Sequence, residues 1–213
     1  MIKIVSDAKS AKATQSPRDE AGGVFVELPD LSCGPKIKTT SSEEGCFDHH
    51  LYLYSALNVE TWSNVVDTFC RLLDLAEETE TMHIHIASPG GSVFLMGRMV
   101  SAIKNTKAKV ITYGEGSVSS AATAIWAAGH VRHILPGAYF MQHMSSQLLF
   151  GKTTDIAAKS IFCVSYIEKQ LKELIELGLF TEEEVSDMIE KSADIFISGR
   201  EAISRVGAIS PKV

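Results

Sequence analysis

The chain has 213 residues and a formal net charge of −6, with 45% hydrophobic and 22% charged residues. This composition is typical of a globular protein of one domain, or of one domain with an additional arm. No dense stripe of Lys and Arg indicates a nucleic-acid partner, and no apolar run approaches the roughly 20 residues that span a bilayer. We therefore expect a protein that binds neither nucleic acids nor membranes.

The N-terminus and the cysteines indicate a cellular compartment. The first apolar run is too short and too interrupted for a signal peptide. The four cysteines are scattered, without a CxxC pair. We expect reduced thiols in a cytoplasmic protein, with a disulfide between Cys33 and Cys46 as the alternative.

Residues 1–46 differ from the rest of the chain. They mix Ser, Thr, Lys, Gly and Pro and contain one apolar stretch, at 24–28. The polar run at 39–45 predicts an exposed loop. We expect a partly mobile N-terminal arm that contains one strand, followed by a folded domain over 47–213.

From residue 51 onwards, strand and helix patterns alternate. Short apolar or alternating runs predict strands at 51–54, 82–86, 109–113, 131–135 and 138–143. Apolar spacings near 3.6 predict helices at 62–76, 93–103, 119–128 and 155–177, and one opened by Thr181 and Glu184. Asn58 and Thr61 are both candidate caps of the first helix. This alternation predicts an α/β fold with a largely parallel sheet.

A serine lies where the third of these strands gives way to a buried helix. Glycines at 114 and 116 predict a turn before Ser119 and Ser120. Helix N-termini offer free N–H groups, so a serine there can attack a carbonyl while those groups hold the oxyanion. The alternative is that Ser119 and Ser120 are simple helix caps, and this segment alone favours that interpretation.

A glycine pair, Gly90-Gly91, follows another strand and precedes another helix. Glycines allow close approach of a backbone, so the loop could donate an N–H to an oxyanion or bind a peptide main chain. An ordinary turn is the alternative. It is not a phosphate loop, because no Gly-Lys-Ser/Thr follows.

A histidine and an aspartate complete a set. His143 ends an apolar strand, and Asp194 stands between an amphipathic helix and the apolar run 195–197. Separately, each is as well explained as an ordinary strand-end or capping residue. With a serine and a glycine loop, they supply the nucleophile, base, orienting acid and oxyanion donor that acyl transfer needs.

The same segments carry a family resemblance. In this sequence they read Ser88-Pro89-Gly90-Gly91, Gly116-Ser117-Val118-Ser119-Ser120, Met141-Gln142-His143, Thr154-Asp155-Ile156 and Asp194-Ile195-Phe196-Ile197-Ser198. In order and approximate spacing, over residues 50–210, they resemble the motifs of the Clp protease proteolytic subunit, ClpP.

The resemblance implies an α/β fold of the ClpP/crotonase type, with stacked ββα units and a protruding handle helix and strand. It implies heptameric rings, usually paired, that enclose the active sites and receive peptides or unfolded proteins, with access controlled by an AAA+ ATPase. No cofactor or metal is implied. The implied roles are nucleophile Ser120, base His143, acid Asp194, backbone oxyanion hole Gly91 and Ala121, and substrate binding by Gly90, Ser92 and Val93.

Some positions depart from the family pattern. Ala121 replaces the usual Met after the nucleophile, which leaves the backbone N–H in place. The segment 144–148 lacks the usual Gln-Pro and glycines, and Ser192-Ala193 replace charged residues before the acid. A single heptamer, or a different ring-to-ring contact, is therefore an alternative to the double ring.

Other functions remain alternatives at this stage. One is a crotonase-like enzyme acting on acyl-CoA, and another is an inactive, structural ring subunit. A Ser-Lys peptidase would need one of Lys104, Lys107 and Lys109 beside the serine. A zinc site could use His83 and His85, with the pair at 49–50 nearby.

Overall fold

The computed structural model describes residues 36–41, 47–144 and 152–207. Within these ranges seven strands form one sheet in the order β1-β2-β3-β4-β6-β7, and β5 also pairs with β4. The strands are β1 Lys36–Ser41, β2 Phe47–Leu53, β3 Thr81–Ser88, β4 Lys109–Ser119, β5 Val131–Ile134, β6 Tyr139–Gln142 and β7 Ile195–Ser198. The helices are α1 Val59–Leu75, α2 Val93–Asn105, α3 Ala121–Ala127, α4 Thr153–Glu176, α5 Glu182–Lys191 and α6 Gly199–Val206.

The sheet is largely parallel, as the alternation of strands and helices predicts. Strands β2, β3, β4 and β6 run parallel, and β5 runs parallel to β4. The two outermost pairs, β1–β2 and β6–β7, are antiparallel. The long strand β4 pairs first with β5 and then with β6, so the sheet branches just before β4 ends.

One face of the sheet carries the core. Along β3 every second residue is buried, with Met82, Ile84 and Ile86 fully so. Helices α1 and α2 pack against each other, and α3 packs against β4. Trp126 of α3 meets Phe140 of β6 edge-on, with ring centroids 4.8 Å apart. Core packing therefore holds α3 against the ends of both β4 and β6.

The turn predicted at 114–117 is wrong, because these residues belong to strand β4. The structure continues the strand through these residues to Ser119, because Gly114 pairs with Ile134 and Ser117 with Tyr139. The predicted helix correspondingly begins at Ala121 rather than at residue 119. Partner strands override the local turn preference of glycine here.

The arm also differs in part from its prediction. Thr39 and Thr40, predicted to lie in a loop, belong to β1 and pair with His49 and Asp48. Residues 1–35, with the apolar stretch at 24–28 and Cys33, and residue Cys46 lie outside the described residues. The predicted arm and disulfide alternative therefore stay predictions.

Helix ends agree with the predicted caps where they can be compared. Asn58 caps α1, since its side chain accepts a hydrogen bond from the N–H of Glu60 at 2.7 Å. Thr181 and Glu184 form the predicted capping box of α5. The short helix α6 was not predicted; Ser198 caps it, and Gly207 ends it.

Helix α4 is the longest of the described helices, and its two halves differ. Its C-terminal half contributes Leu171 and Leu174 to the core. In its N-terminal half Ile161 and Val164 are 71% and 47% exposed, although their spacing predicts a buried stripe. In the single chain this half extends beyond the core. No described helix is long and apolar enough to cross a membrane.

Candidate active site

The site begins at a sharp turn between β4 and α3. Ser120 lies in this turn with φ 54° and ψ −124°, a conformation that residues with a side chain rarely adopt. The N–H of Ser120 donates to the carbonyl of Met141 at 2.8 Å, which ties the turn to β6. Such backbone strain, on the order of 1–3 kcal/mol, is concentrated at functional sites. The turn has the strand-to-helix geometry that exposes a nucleophile.

Ser120 and His143 meet directly. The Oγ of Ser120 lies 2.9 Å from the Nε2 of His143. The pairing of Ser119 with Met141 aligns the ends of β4 and β6, and His143 is the first residue after β6. When Nδ1 carries the imidazole proton, Nε2 can accept the hydroxyl proton. This is the nucleophile–base contact of acyl-transfer sites.

The neighbouring serine is engaged elsewhere. Ser119 is buried, and its Oγ lies 2.8 Å from the Oγ of Ser117. Ser120 makes no side-chain capping bond to α3. The geometry thus separates the two serines, which the sequence left equivalent, and favours Ser120 as the reactive one.

The glycine loop packs against this turn. The carbonyl of Gly90 accepts from the N–H of Leu57 at 2.7 Å, and the N–H of Ser92 donates to the carbonyl of Leu57 at 2.8 Å. Gly90 has φ 89°, and a Cβ there would lie 2.5 Å from the carbonyl oxygen of Ser119 and 2.9 Å from the Cβ of Ser120. Only glycine fits this close approach of the two backbones.

Two N–H groups beside the serine are without partners. Among the described residues, no hydrogen bond is donated by the N–H of Gly91 or by that of Ala121. Gly91 is exposed, and Ala121 is the first residue of α3, where helical N–H groups lack an intrahelical acceptor. These groups are available to an incoming oxygen atom.

A small pocket opens next to Ser120 and His143. Its walls come from the starts of α2 and α3, the end of β6 and the C-terminal half of α4. Of the residues predicted to bind substrate, Val93 lines it, whereas the hydroxyl of Ser92 accepts a bond from the N–H of Leu95 at 3.4 Å as the cap of α2. The other lining residues come from four separate segments, and the sequence did not predict a role for them in the site: Met96, Thr123, Ala124, Gln142, Ile167, Gln170 and Leu174.

The position of Asp194 is determined by the pairing of β6 with β7. The last pair of that ladder joins Gln142 to Ile195, so His143 and Asp194 are the next residues along the two strands. The Asp194 side chain is exposed. Among the described residues no hydrogen bond links it to His143. The register thus brings Asp194 near His143, and no described hydrogen bond joins the two in the single chain.

The candidate lysines lie elsewhere. Lys104 pairs with Glu173 at 2.6 Å, Lys107 lies 3.9 Å from Glu77, and Lys109 is exposed at the start of β4. None of the three lines the pocket at Ser120. The geometry therefore does not favour a Ser-Lys peptidase.

The histidines considered for the alternative zinc site belong to a different cluster, on the sheet face opposite the core. His50 Nδ1 and His85 Nε2 are 3.1 Å apart, His83 Nδ1 lies 2.9 Å from the hydroxyl of Tyr113, and the rings stack. We call His50, Tyr52, His83, His85 and Tyr113 the histidine–tyrosine ladder. Within the described ranges, no group of three or more His, Cys, Asp or Glu is arranged to hold a metal ion.

The surroundings of the ladder disfavour the charged forms of two of its histidines, His50 and His83. Burial, and then the neighbouring His83, lower the pKa of His50 to about 4. Burial also lowers the pKa of His83. Burial raises the pKa of Glu115, but hydrogen bonds from His85 and Tyr54 outweigh it, and the net shift is downwards. The rings of the ladder are thus bonded to one another, and His85 joins them to the carboxylate of Glu115.

A serine on a strained strand-to-helix turn, with a histidine in hydrogen-bond contact, defines the class of this site: a nucleophile–base pair on an α/β sheet. Comparison with known proteins identifies the family. The family model described as Clp protease matches residues 43–209, and the chain belongs to this family. The mixed α/β sheet with its surrounding helices agrees with the ClpP fold that the motifs predicted.

A curated relative agrees with this assignment. The ATP-dependent Clp protease proteolytic subunit 1 of Corynebacterium jeikeium (strain K411) is 31% identical over 125 residues. The match covers 58% of this chain and 64% of that relative. The chain thus spans a little under two thirds of the relative's length.

Proposed function

We propose that this chain is a ClpP-like serine endopeptidase that hydrolyses peptide bonds with Ser120, His143 and Asp194. The observation that carries the proposal is the 2.9 Å contact between Ser120 Oγ and His143 Nε2 at a strained strand-to-helix turn. Membership of the Clp protease family supports the reaction class.

In the proposed mechanism Ser120 Oγ attacks the scissile carbonyl carbon while His143 Nε2 takes the hydroxyl proton. The tetrahedral intermediate collapses when His143 returns that proton to the leaving amine. Water then hydrolyses the acyl-enzyme by the same route, with His143 again as the base. No metal or nucleotide takes part in these steps.

The oxyanion is held by the backbone N–H groups of Gly91 and Ala121. Both are free of described partners: Ala121 directly follows Ser120, and Gly91 follows Gly90, which packs against Ser120. Removing one such donor typically costs about 2.7–4 kcal/mol of transition-state stabilisation. Because these donors are backbone groups, the Ala at 121 in place of the family's usual Met does not remove one.

Asp194 serves as the orienting acid, bonded to Nδ1 of His143 in the active state. The β6–β7 register supports this role, since it aligns the two residues. In the single chain Asp194 is exposed, so we propose that assembly of the ring moves its carboxylate onto His143. An inactive, structural ring subunit is the second candidate, and the missing His143–Asp194 bond favours it.

We further propose that the chain forms a homo-oligomeric ring, heptameric and either single or paired, that encloses the sites in a chamber. Its substrates would be peptides and unfolded proteins, delivered by an AAA+ ATPase. The relative's name, an ATP-dependent proteolytic subunit, supports the ATPase partner. The proposed compartment is the cytoplasm.

The test is labelling of the purified protein with a fluorophosphonate, which reacts with activated serines, followed by mass spectrometry of the adduct. We expect a single adduct on Ser120 that disappears in Ser120→Ala and in His143→Ala. Ser119→Ala is the matched control, since its hydroxyl faces Ser117 rather than His143.

Light scattering on the same samples gives the assembly state. Labelling of Ser119, or labelling that persists without His143, would contradict the proposed pair. A well-folded ring in which Ser120 stays unlabelled would overturn the active-peptidase proposal. Labelling that appears only in the assembled fraction would support the proposed movement of Asp194 on assembly.

A further inference from the structure

The pocket beside Ser120 contains a buried polar group without a partner. Gln170 of α4 is 8% exposed, and it lines the pocket together with Ser120 and His143. Among the described residues its Oε1 is the buried side-chain nitrogen or oxygen that makes no hydrogen bond. A buried amide oxygen without a donor is unfavourable, typically by about 1–3 kcal/mol. Buried polar groups normally have hydrogen-bond partners, so this oxygen calls for an explanation.

The other polar side chains of the pocket are already engaged. The hydroxyl of Thr123 contacts the carbonyl of Ser120 at 2.6 Å and the Oε1 of Gln142 at 3.1 Å. These contacts brace the first turn of α3 against β6. Gln170 is therefore the lining residue of the pocket whose side-chain oxygen has no donor among the described residues.

The rest of the pocket surface is apolar and uncharged. Val93, Met96, Ile167 and Leu174 form its walls, and its lining includes no Lys, Arg, Asp or Glu from the part of the chain that the structure describes. A charged ligand group would lose its hydration here without gaining a counter-ion. A neutral group with an N–H donor at the end of an apolar stem matches both the walls and the free oxygen.

The position of the pocket identifies which part of a substrate would enter it. A carbonyl attacked by Ser120, with its oxygen towards Gly91 and Ala121, lies at the mouth of the pocket. The side chain on the carbonyl's own residue, here called the acyl-side residue, is the substituent nearest to the lining. That side chain is therefore the natural occupant.

We propose that Gln170 is a specificity-determining residue that selects glutamine as the acyl-side residue of the substrate. The proposal rests on the proposed peptidase function. The methylenes of a substrate glutamine contact the apolar walls, and its amide N–H₂ donates to Gln170 Oε1. Methionine has nearly the same size and shape but no donor, so it leaves the oxygen unpaired. Glutamate and lysine bring an uncompensated charge.

The test compares hydrolysis of four fluorogenic peptides that differ only in the acyl-side residue, which is glutamine, methionine, glutamate or lysine. We expect kcat/KM for the glutamine peptide to exceed that for the methionine peptide by about tenfold or more, because sites built to hydrogen-bond a substrate group reject analogues that lack it. The glutamate and lysine peptides should be cut more slowly than either.

The decisive variant is Gln170→Met, which keeps the side-chain length and removes the acceptor. We expect the glutamine-to-methionine ratio to fall to about one or below, while fluorophosphonate labelling of Ser120 persists. Gln170→Leu is a second variant with the same expectation. Lys169→Met is the matched control, since it places the same residue on the exposed side of the same helix turn and should leave the ratio unchanged.

The outcomes separate this inference from the function on which it rests. Normal labelling of Ser120 with no preference for glutamine, or with a preference that survives Gln170→Met, would overturn the inference and leave the peptidase standing. Absence of both labelling and hydrolysis would overturn the proposed function and this inference with it.

Discussion

Two clusters of polar side chains lie on the same sheet, and they differ in how completely their hydrogen bonds are satisfied. In the histidine–tyrosine ladder His50 bonds to His85, His83 bonds to Tyr113, and the rings stack on one another. At the ends of β4 and β6, by contrast, a strained serine faces a histidine beside free backbone N–H groups. The histidines of the ladder hydrogen-bond to neighbouring side chains, whereas the candidate site has backbone N–H groups without described partners, which a ligand could use.

This contrast shows why a histidine in the sequence does not by itself indicate a site. Both clusters contain histidines near the ends or along the faces of apolar strands. His143 differs because it reaches a nucleophile and a pocket. Removal of the Ser120 or His143 side chain should therefore abolish activity with little loss of stability, while changes in the ladder should alter stability and leave activity intact.

The largest expected effect is at Ser120. Ser120→Ala and Ser120→Gly should each lower kcat for peptide hydrolysis by about 10⁶-fold, the loss typical of removing the nucleophile of a triad. Their stabilities should differ, because glycine accepts φ 54° without strain whereas alanine does not. We expect the glycine variant to be more stable by about 1 kcal/mol in urea unfolding. Equal stabilities would show that the turn is unstrained in solution.

The next effect distinguishes the base from the acid. His143→Ala should lower kcat by about 10⁶-fold, whereas Asp194→Ala should lower it by about 10⁴-fold, since an orienting acid contributes less than the base. Asp187→Ala is the control on the neighbouring helix, where the carboxylate pairs with Lys191. An Asp194 variant with unchanged kcat in the assembled protein would remove the acid from the proposed triad.

A third prediction concerns the close packing of the glycine loop on the serine turn. Gly90→Ala would place a Cβ against the Ser119 carbonyl at a positive φ, so it should destabilise the protein by about 2 kcal/mol or more and reduce labelling of Ser120. Gly137→Ala is the matched control, because a Cβ there meets nothing within 4 Å. If both variants unfold at the same urea concentration, the loop is not packed as described.

The smallest effect should come from the ladder. The pKa of His50 is about 4 in the folded chain and near 6.5 when unfolded. The unfolded state therefore takes up this proton first, and stability should fall as the pH drops from about 6.5 towards 4, with no contribution above that window. His50→Phe keeps a ring for stacking and removes this titration, so its unfolding midpoint should fall less steeply over the same range.

The measurement is the urea midpoint of both proteins at several pH values between 7 and 4. Fluorophosphonate labelling of Ser120 should be unaffected by His50→Phe at pH 7. Parallel pH profiles for the two proteins would contradict a depressed pKa at His50. Lost labelling would break the proposed separation between the ladder and the candidate site.

The sequence alone determined the order and type of most elements. Its apolar spacings and caps identified α1, α2, α4 and α5, and its alternation identified the central strands of a largely parallel sheet. These features depend on side-chain periodicity and capping within a few residues, which local sequence carries directly. The motifs likewise identified the residues of the proposed triad and the family to which the chain belongs.

Only the tertiary structure decided features that depend on partners distant in sequence. Strand β4 runs through its glycines because β5 and β6 pair with it, and Thr39 and Thr40 join the sheet because β2 pairs with them. The contact that separates Ser120 from Ser119 depends on the register of β4 against β6. Gln170 faces the pocket because α4 packs back onto the core some fifty residues after the serine. Local sequence records none of these pairings, because each becomes favourable only when two remote segments bury surface or exchange hydrogen bonds together.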